Sequence, residues 1–215
     1  MKLVYFNARG LAETSRMLLS INDTNYTDFR YPLEIIDWTT HNIQKEEFDA
    51  DKELGTFTKS LNKLPYLEVD GEIIPQSKTI ERYLARRFNM MGANELQGSQ
   101  VDAICEYIRD FKTEYQKTRS LTGEEKETGM IKWFSETLPT HLKNLDAIVG
   151  TTYAVGNSLS LADVSLYSFL TQFFDNVEGT QAALETTSNI KTVVANVQSL
   201  ESIQEWLKVR PQTAF

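Results

Sequence analysis

Hydrophobic positions fall into two regimes along the chain. In the first third they alternate between strand and helix spacing. "KLVYF" is a short β-type run that puts Leu3 and Tyr5 on one face. "LAETSRMLLSI" follows, with Leu11, Leu18, Leu19 and Ile21 at helical spacing. Glu13 lies in its first turn, where negative charge suits the helix dipole. "YTDFRY" (Tyr26–Tyr31) predicts a second strand, and the polar stretch Asp37–Asn62 predicts a loop plus a helix. "LPYLEV" and "EII" predict two strands joined by Asp70-Gly71, a strong two-residue hairpin signal. "SKTIERYLARRF" predicts a helix with Ile80, Tyr83, Leu84 and Phe88 on one face. The order β-α-β-(α)-β-β-α describes a small sheet covered by helices.

From about Asn94 strand signals vanish and helical periodicity takes over. Val101, Ile104, Cys105, Ile108, Phe111 and Tyr115 form one stripe; Ile131, Phe134, Leu138, Leu142 and Leu145 form another. "LADVSLYSFLTQFF" is apolar nearly all round, which predicts a buried central helix. Ser160 with Asp163 three residues later resembles a capping box. Ile203, Trp206 and Leu207 mark a last helix that stops before Pro211. With a linker at Asn89–Gly98, the expected domains are an α/β unit over 1–88 and an all-α unit over 95–215.

Composition narrows the function. The 215 residues are 41% hydrophobic, enough for a core without a metal or disulfide staple. The net charge of −8 argues against a nucleic-acid surface and against anionic membranes. No apolar run approaches the ~20 residues of a membrane span. One cysteine, Cys105, and no secretory leader predict a cytoplasmic protein. Cys105, His41 and His141 lack metal-ligand spacing, so no metal is expected.

No nucleophile elbow, phosphate loop or zinc signature is present. Three features carry candidate chemistry. Pro65 stands at the start of a strand. A cis Leu64-Pro65 bond would offer backbone groups to a peptide-like ligand; a trans proline would serve only the strand edge. Gln76 and Ser77 stand between a strand and a helix, where N–H groups can hold a carboxylate or Ser77 can simply cap. Tyr5 ends its strand beside a helix start, so its hydroxyl either enters a cleft or packs.

Together, "YFNARGLAET", "KLPYLEVDG" and "QSKTIERYLA" resemble the glutathione-binding half of a glutathione S-transferase. "VGNSLSLADVSLY" resembles a helix of that family's second domain, and "VRPQT" is similar to the end of its sigma class, which includes haematopoietic prostaglandin D synthases and lens S-crystallins. The resemblance implies a thioredoxin-like N-terminal domain, an all-α C-terminal domain and glutathione as co-substrate. It implies that Tyr5 is catalytic, its hydroxyl favouring the glutathione thiolate over a thiol whose ordinary pKa is ~8.5. It implies backbone pairing of glutathione at Leu64, before Pro65, and a γ-glutamyl carboxylate at Gln76 and Ser77. Trp38 and Lys63 match the glycyl end. Asp110 matches the acidic residue that reaches the partner subunit's ligand in a homodimer. Phe6, Ala8, Phe111 and Tyr115 are expected to line the pocket for a hydrophobic electrophile.

Four departures weigh on this reading. Leu11 and Lys117 replace an arginine and a tryptophan of prostaglandin-making relatives, and Arg109 replaces a second acidic residue of their metal site. The segment between Trp38 and Lys63 is longer than the family norm by roughly one to two dozen residues, which a surface loop tolerates. It is expected to lengthen a helix or form a flap. A transferase acting on hydrophobic electrophiles is therefore the leading expectation. A prostaglandin-type isomerase and a non-enzymatic crystallin-like protein are the alternatives.

Overall fold

The computed structural model describes residues 1–37 and 42–213. The chain divides into two compact units, Met1–Leu84 with Ser202–Phe215, and Ala85–Glu201.

The first unit is built on a four-stranded sheet. Strand β1 (Lys2–Phe6) leads through a 3-10 turn (Gly10–Ala12) into helix α1 (Glu13–Ile21), then into β2 (Thr27–Tyr31), which pairs parallel with β1. Strands β5 (Tyr66–Val69) and β6 (Glu72–Pro75) complete the sheet in the order β2-β1-β5-β6, with both added pairings antiparallel. Asp70 and Gly71 take positive φ angles of 52° and 86°, as a tight hairpin turn between right-twisted strands requires. Helix α3 (Ser77–Arg87) follows directly, with Ile80 and Leu84 fully buried.

The stretch from Glu34 to Asn62, of which Asp37–Asn62 is expected to be loop plus helix, holds more structure than that. Two short strands, β3 (Glu34–Asp37) and β4 (Asn42–Gln44), pair antiparallel as a separate ribbon. They are too short to show period-2 alternation, which is why the pattern passes over them. Helix α2 (Glu46–Glu53) and a 3-10 turn (Thr58–Ser60) come next. This stretch is anchored to the sheet. Phe48 and Phe57 stack at 4.9 Å between ring centres and pack with Val4, Tyr31 and Tyr66 in one buried cluster. The Tyr31 hydroxyl donates to Asp51 Oδ2 at 2.5 Å. Two buried phenylalanines therefore hold the long segment down, as burial of such side chains is worth about 2–3 kcal/mol each.

The last helix, α10 (Glu201–Val209), groups with the first unit from Ser202 onward, whereas the periodicity places it with the helical one. The reason is polar. Trp206 Nε1 and Arg210 Nη1 donate to Glu13 Oε1 at 2.9 and 2.6 Å, and Ser20 Oγ donates to the Ser202 carbonyl at 3.0 Å. Helical spacing reports a buried face but not which partner buries it.

The second unit is helical. Helix α4 (Glu95–Arg119) starts at an Asn94 cap and buries Val101, Ile104, Cys105, Ile108, Phe111 and Tyr115, the expected stripe. Helices α5 (Gly123–Lys132) and α6 (Leu138–Asp146) are joined by one π-helical turn (Trp133–Thr137). That turn explains a misplaced residue. Leu138, Leu142 and Leu145 are fully buried, but Ile131, from the same expected stripe, is 70% exposed. A π turn inserts an extra residue and rotates everything before it, so Trp133 is buried in its stead. Helix α7 (Leu161–Gln172) buries every residue from Leu161 to Leu170. Its capping box is complete: the Ser160 side chain accepts from the Asp163 N–H, and Asp163 Oδ2 accepts from the Ser160 N–H at 2.8 Å and also from the Ser160 hydroxyl at 2.5 Å. Asp163 Oδ1 accepts from the Ala154 N–H at 2.7 Å. Helices α8 (Val177–Leu184) and α9 (Ser188–Gln198) complete the unit. Among the described residues, no helix is long and apolar enough to cross a membrane.

Candidate active site

The site is organised by the register of the first sheet. Val4 pairs with Tyr66, and Tyr66 pairs with Pro75. Tyr5, Pro65 and Gln76 are each the next residue beyond those pairs, toward the same end of the sheet. Residues far apart in sequence (5, 64–65 and 76–77) therefore meet at one edge. The Leu64-Pro65 bond is cis. Pro65 is buried, Leu64 and Ser77 are half-buried, and Lys63 and Gln76 are exposed.

Tyr5 is 8% exposed. Alternation along β1 sends Val4 and Phe6 to the aromatic cluster and Tyr5 to the other face. Its hydroxyl oxygen accepts from the Leu11 backbone N–H at 3.3 Å. Burial pushes its pKa above the ordinary phenol value, and the Leu11 bond and the Arg16 charge offset only part of that. A phenol in this setting keeps its proton at neutral pH and has it to donate. Gly10 makes the close approach possible. Its φ is +41°, and a Cβ there would lie 2.7 Å from the Tyr5 hydroxyl.

Gln76 stands immediately before α3 with a φ of +70°, a left-handed conformation that a residue with a Cβ adopts at a cost of about 1–2 kcal/mol. The helix begins at Ser77, and the Gln76 carbonyl accepts from Ile80 N–H at 3.0 Å. Ser77 therefore lies in the first turn, where backbone N–H groups point outward and favour an anion.

The remaining expected residues separate. Phe6 packs edge-on against Phe48 at 5.0 Å. Ala8 is fully buried, and its carbonyl accepts from Arg16 Nη1 at 2.7 Å. Trp38 lies outside the described residues. Asp110, Phe111 and Tyr115 belong to the helical unit. Asp110 is exposed, with Arg109 at 3.9 Å. Phe111 packs on Tyr107 and His141 at 4.1 and 4.3 Å. Tyr115 packs among Trp133, Phe134, Phe173 and Phe174. No three His, Cys, Asp or Glu side chains among the described residues are grouped to hold a metal.

Sequence reasoning passes over three participants. The Leu11 contribution is a backbone N–H, invisible in residue type. Gly10 is legible only as a turn residue, not as a neighbour of a hydroxyl. Arg16 has no exposed surface although it sits in α1 among Met17, Leu18 and Leu19. A charged residue placed where a helix face is otherwise buried is the signal that could have found it.

Comparison with known proteins identifies the family. The model of the glutathione S-transferase N-terminal domain matches residues 1–86, and that of the glutathione S-transferase C-terminal domain matches residues 109–210. The chain is 31% identical over 222 residues to glutathione S-transferase 3 of Caenorhabditis elegans, covering 100% of this chain and 98% of that one. It is 30% identical over 224 residues to the human hematopoietic prostaglandin D synthase, with 99% and 97% covered. Among solved structures, a glutathione S-transferase from the hookworm Necator americanus, described as monomeric, superposes with a TM-score of 0.83 at 25% identity, covering 100% of this chain and 98% of that one. With both domains matched in order and relatives alike over their full length, the chain belongs to the glutathione S-transferase family.

Proposed function

We propose that the chain is a glutathione transferase that activates glutathione through Tyr5 and transfers it to hydrophobic electrophiles. The observation that carries this reading is the Tyr5 hydroxyl, whose oxygen is occupied by the Leu11 N–H while its own hydrogen remains to be donated. A hydrogen bond from that hydroxyl to a glutathione sulfur favours the thiolate, and each pKa unit it removes is worth about 1.4 kcal/mol. The thiolate then attacks an electrophilic carbon, and the leaving group departs with the displaced electron pair. Tyr5 acts as a protonated donor throughout, as its raised pKa supports.

The edge around Tyr5 supports the placement of the tripeptide. The backbone at Leu64, before cis Pro65, would pair with the cysteinyl segment, and Gln76 with Ser77 would hold the γ-glutamyl carboxylate at the start of α3. Lys63 and Trp38 complete the glycyl end in this reading. Asp110, exposed on α4, would reach the ligand of a second copy in a two-fold dimer. We place the activity in the cytoplasm and assign it no metal.

Turnover of a chloronitrobenzene-type substrate by the wild type and Tyr5→Phe tests the reading. The variant should lose roughly 100-fold in kcat, the scale for removing one donor to developing negative charge, and still bind immobilised glutathione. A wild type that neither turns over the substrate nor binds the resin overturns it. Sedimentation at micromolar concentration tests the dimer separately. The isomerase alternative has a human prostaglandin synthase among its relatives but Leu11 and Lys117 against it.

A further inference from the structure

The first unit contains a buried charge network around the start of α1. Glu13, at the start of α1, is 2% exposed, and Arg16, one turn later, is fully buried. Burying either charge is costly unless it is paired. Arg16 Nε donates to Asp28 Oδ1 at 3.2 Å, and Asp28 Oδ2 lies 2.7 Å from Arg30 Nη2. Arg16 Nη1 donates to the carbonyls of Ala8 and Arg9 at 2.7 and 3.4 Å, and lies 3.5 Å from Glu13 Oε2. Arg16 Nη2 has no hydrogen-bond partner among the described residues, and the guanidinium carbon stands 5.9 Å from the centre of the Tyr5 ring.

The Ala8–Leu11 segment is the one that delivers the Leu11 N–H to the Tyr5 hydroxyl. Arg16 grips two carbonyls of that segment, and its guanidinium also lies over the Tyr5 ring. Glu13 in turn is held from outside α1, by Trp206 Nε1 at 2.9 Å and Arg210 Nη1 at 2.6 Å. Trp206 belongs to α10 and Arg210 follows it directly, both nearly two hundred residues away in sequence. Without them Glu13 would be a buried carboxylate whose nearest cation is Arg16. It would then compete with the Ala8 carbonyl for the same guanidinium nitrogen.

We propose that Arg16 is a positioning residue for the Tyr5 hydroxyl and that Glu13 couples it to α10 and the residue after it, so that Trp206 and Arg210 set how well the glutathione thiol is ionised. This inference rests on the reading of Tyr5 given above. It makes α10 part of the catalytic geometry without giving it any contact with substrate.

The test compares Arg210→Gln, Arg210→Lys, Trp206→Phe and Arg16→Lys with wild type and Tyr5→Phe. The readouts are kcat, the KM for glutathione and the apparent pKa of the bound thiol. The last is taken from the pH dependence of kcat/KM and from thiolate absorbance at equilibrium. Arg210→Gln and Trp206→Phe should each lower kcat about tenfold, leave the glutathione KM within about twofold and raise the thiol pKa. Arg210→Lys should restore most of the loss, because a single contact to Glu13 needs a cation rather than a fork. Arg16→Lys should not be mild, because one ammonium cannot serve Asp28 and the Ala8 carbonyl together. Trp206→Phe removes the N–H while keeping an aromatic ring, and so covers the case in which Arg210→Gln folds poorly.

In a Tyr5→Phe background, Arg210→Gln should shift the thiol pKa no further, since coupled residues are not additive. An unchanged thiol pKa in both Arg210→Gln and Trp206→Phe, with Tyr5→Phe impaired, overturns this inference and leaves the Tyr5 reading standing. Tyr5→Phe with wild-type turnover and thiol pKa overturns the Tyr5 reading and this inference with it.

Discussion

The Leu11 backbone N–H donates to the Tyr5 hydroxyl oxygen across 3.3 Å, from a turn that follows the strand carrying Tyr5. A side chain at the end of a strand is thus oriented by the backbone of the next element. Gly10, between them, has no Cβ to intervene.

Gly10→Ala is expected to damage both stability and turnover. The new Cβ would fall 2.7 Å from the Tyr5 hydroxyl, and the φ of +41° disfavours any side chain. Such left-handed strain costs about 1–3 kcal/mol, read as a lower urea midpoint at unchanged slope. Turnover should fall as the Leu11 N–H moves away from Tyr5. A variant with wild-type midpoint and kcat would show that the turn relaxes freely and that this contact does not matter.

Gln76→Gly is expected to separate stability from binding. The φ of +70° at Gln76 is tolerated without strain by glycine, so the variant should gain up to about 1 kcal/mol, offset in part by the freer unfolded chain. If Gln76 holds the γ-glutamyl group, the same variant should elute early from immobilised glutathione. Lower thermal stability, or unchanged retention, contradicts one half of the expectation or the other.

Alkaline pH should unfold the protein through its tyrosines. Burial raises the pKa of Tyr5, Tyr66 and Tyr115. It also raises Tyr26, with Asp28 adding to the shift, and Tyr31, with its bond to Asp51 adding. The unfolded phenols ionise near ~10, so above that pH the unfolded state binds fewer protons than the native state. Stability should be full below ~10 and fall as pH rises through the native values. Tyrosinate absorbance should therefore show only part of the 9 tyrosines ionising while circular dichroism stays native, the rest appearing with unfolding. Ionisation of all of them before any loss of structure would refute this.

Asp163→Ala should cost more than an ordinary helix cap. It removes the acceptor for the buried N–H groups of Ser160 and Ala154 together. Each stranded donor costs about 1–3 kcal/mol, so the loss should approach 3 kcal/mol or more in denaturant unfolding. A loss below ~1 kcal/mol, the low end for a surface cap, would mean that water replaces the carboxylate.

Much of the molecule is legible in the order of its residues. Strand β1, the Asp70-Gly71 hairpin, the buried helix after Ser160 and its capping box follow from local pattern, because each is specified by neighbours within a few residues. Tyr5, Pro65, Gln76 and Ser77 are picked out there as candidates, their roles only as the resemblance implies them. The ribbon of β3 and β4 is not legible, because strands of four and three residues carry no usable period and, unlike β5 and β6, have no Asp-Gly turn signal between them. Ile131 is misplaced because a π turn changes the phase that helical counting assumes constant.

What the sequence determined alone is therefore the identity of the longer elements and of the Asp70-Gly71 hairpin, and the family they resemble, since both depend on local composition and spacing. Tertiary structure decided the rest. Sheet register brought residues 5, 65 and 76 to one edge, and pairing partners are set by the whole sheet rather than by any strand. It likewise decided that α10 closes onto the first unit. A buried carboxylate at Glu13 needs cations and donors, and only the folded chain determines that Arg210 and Trp206 supply them.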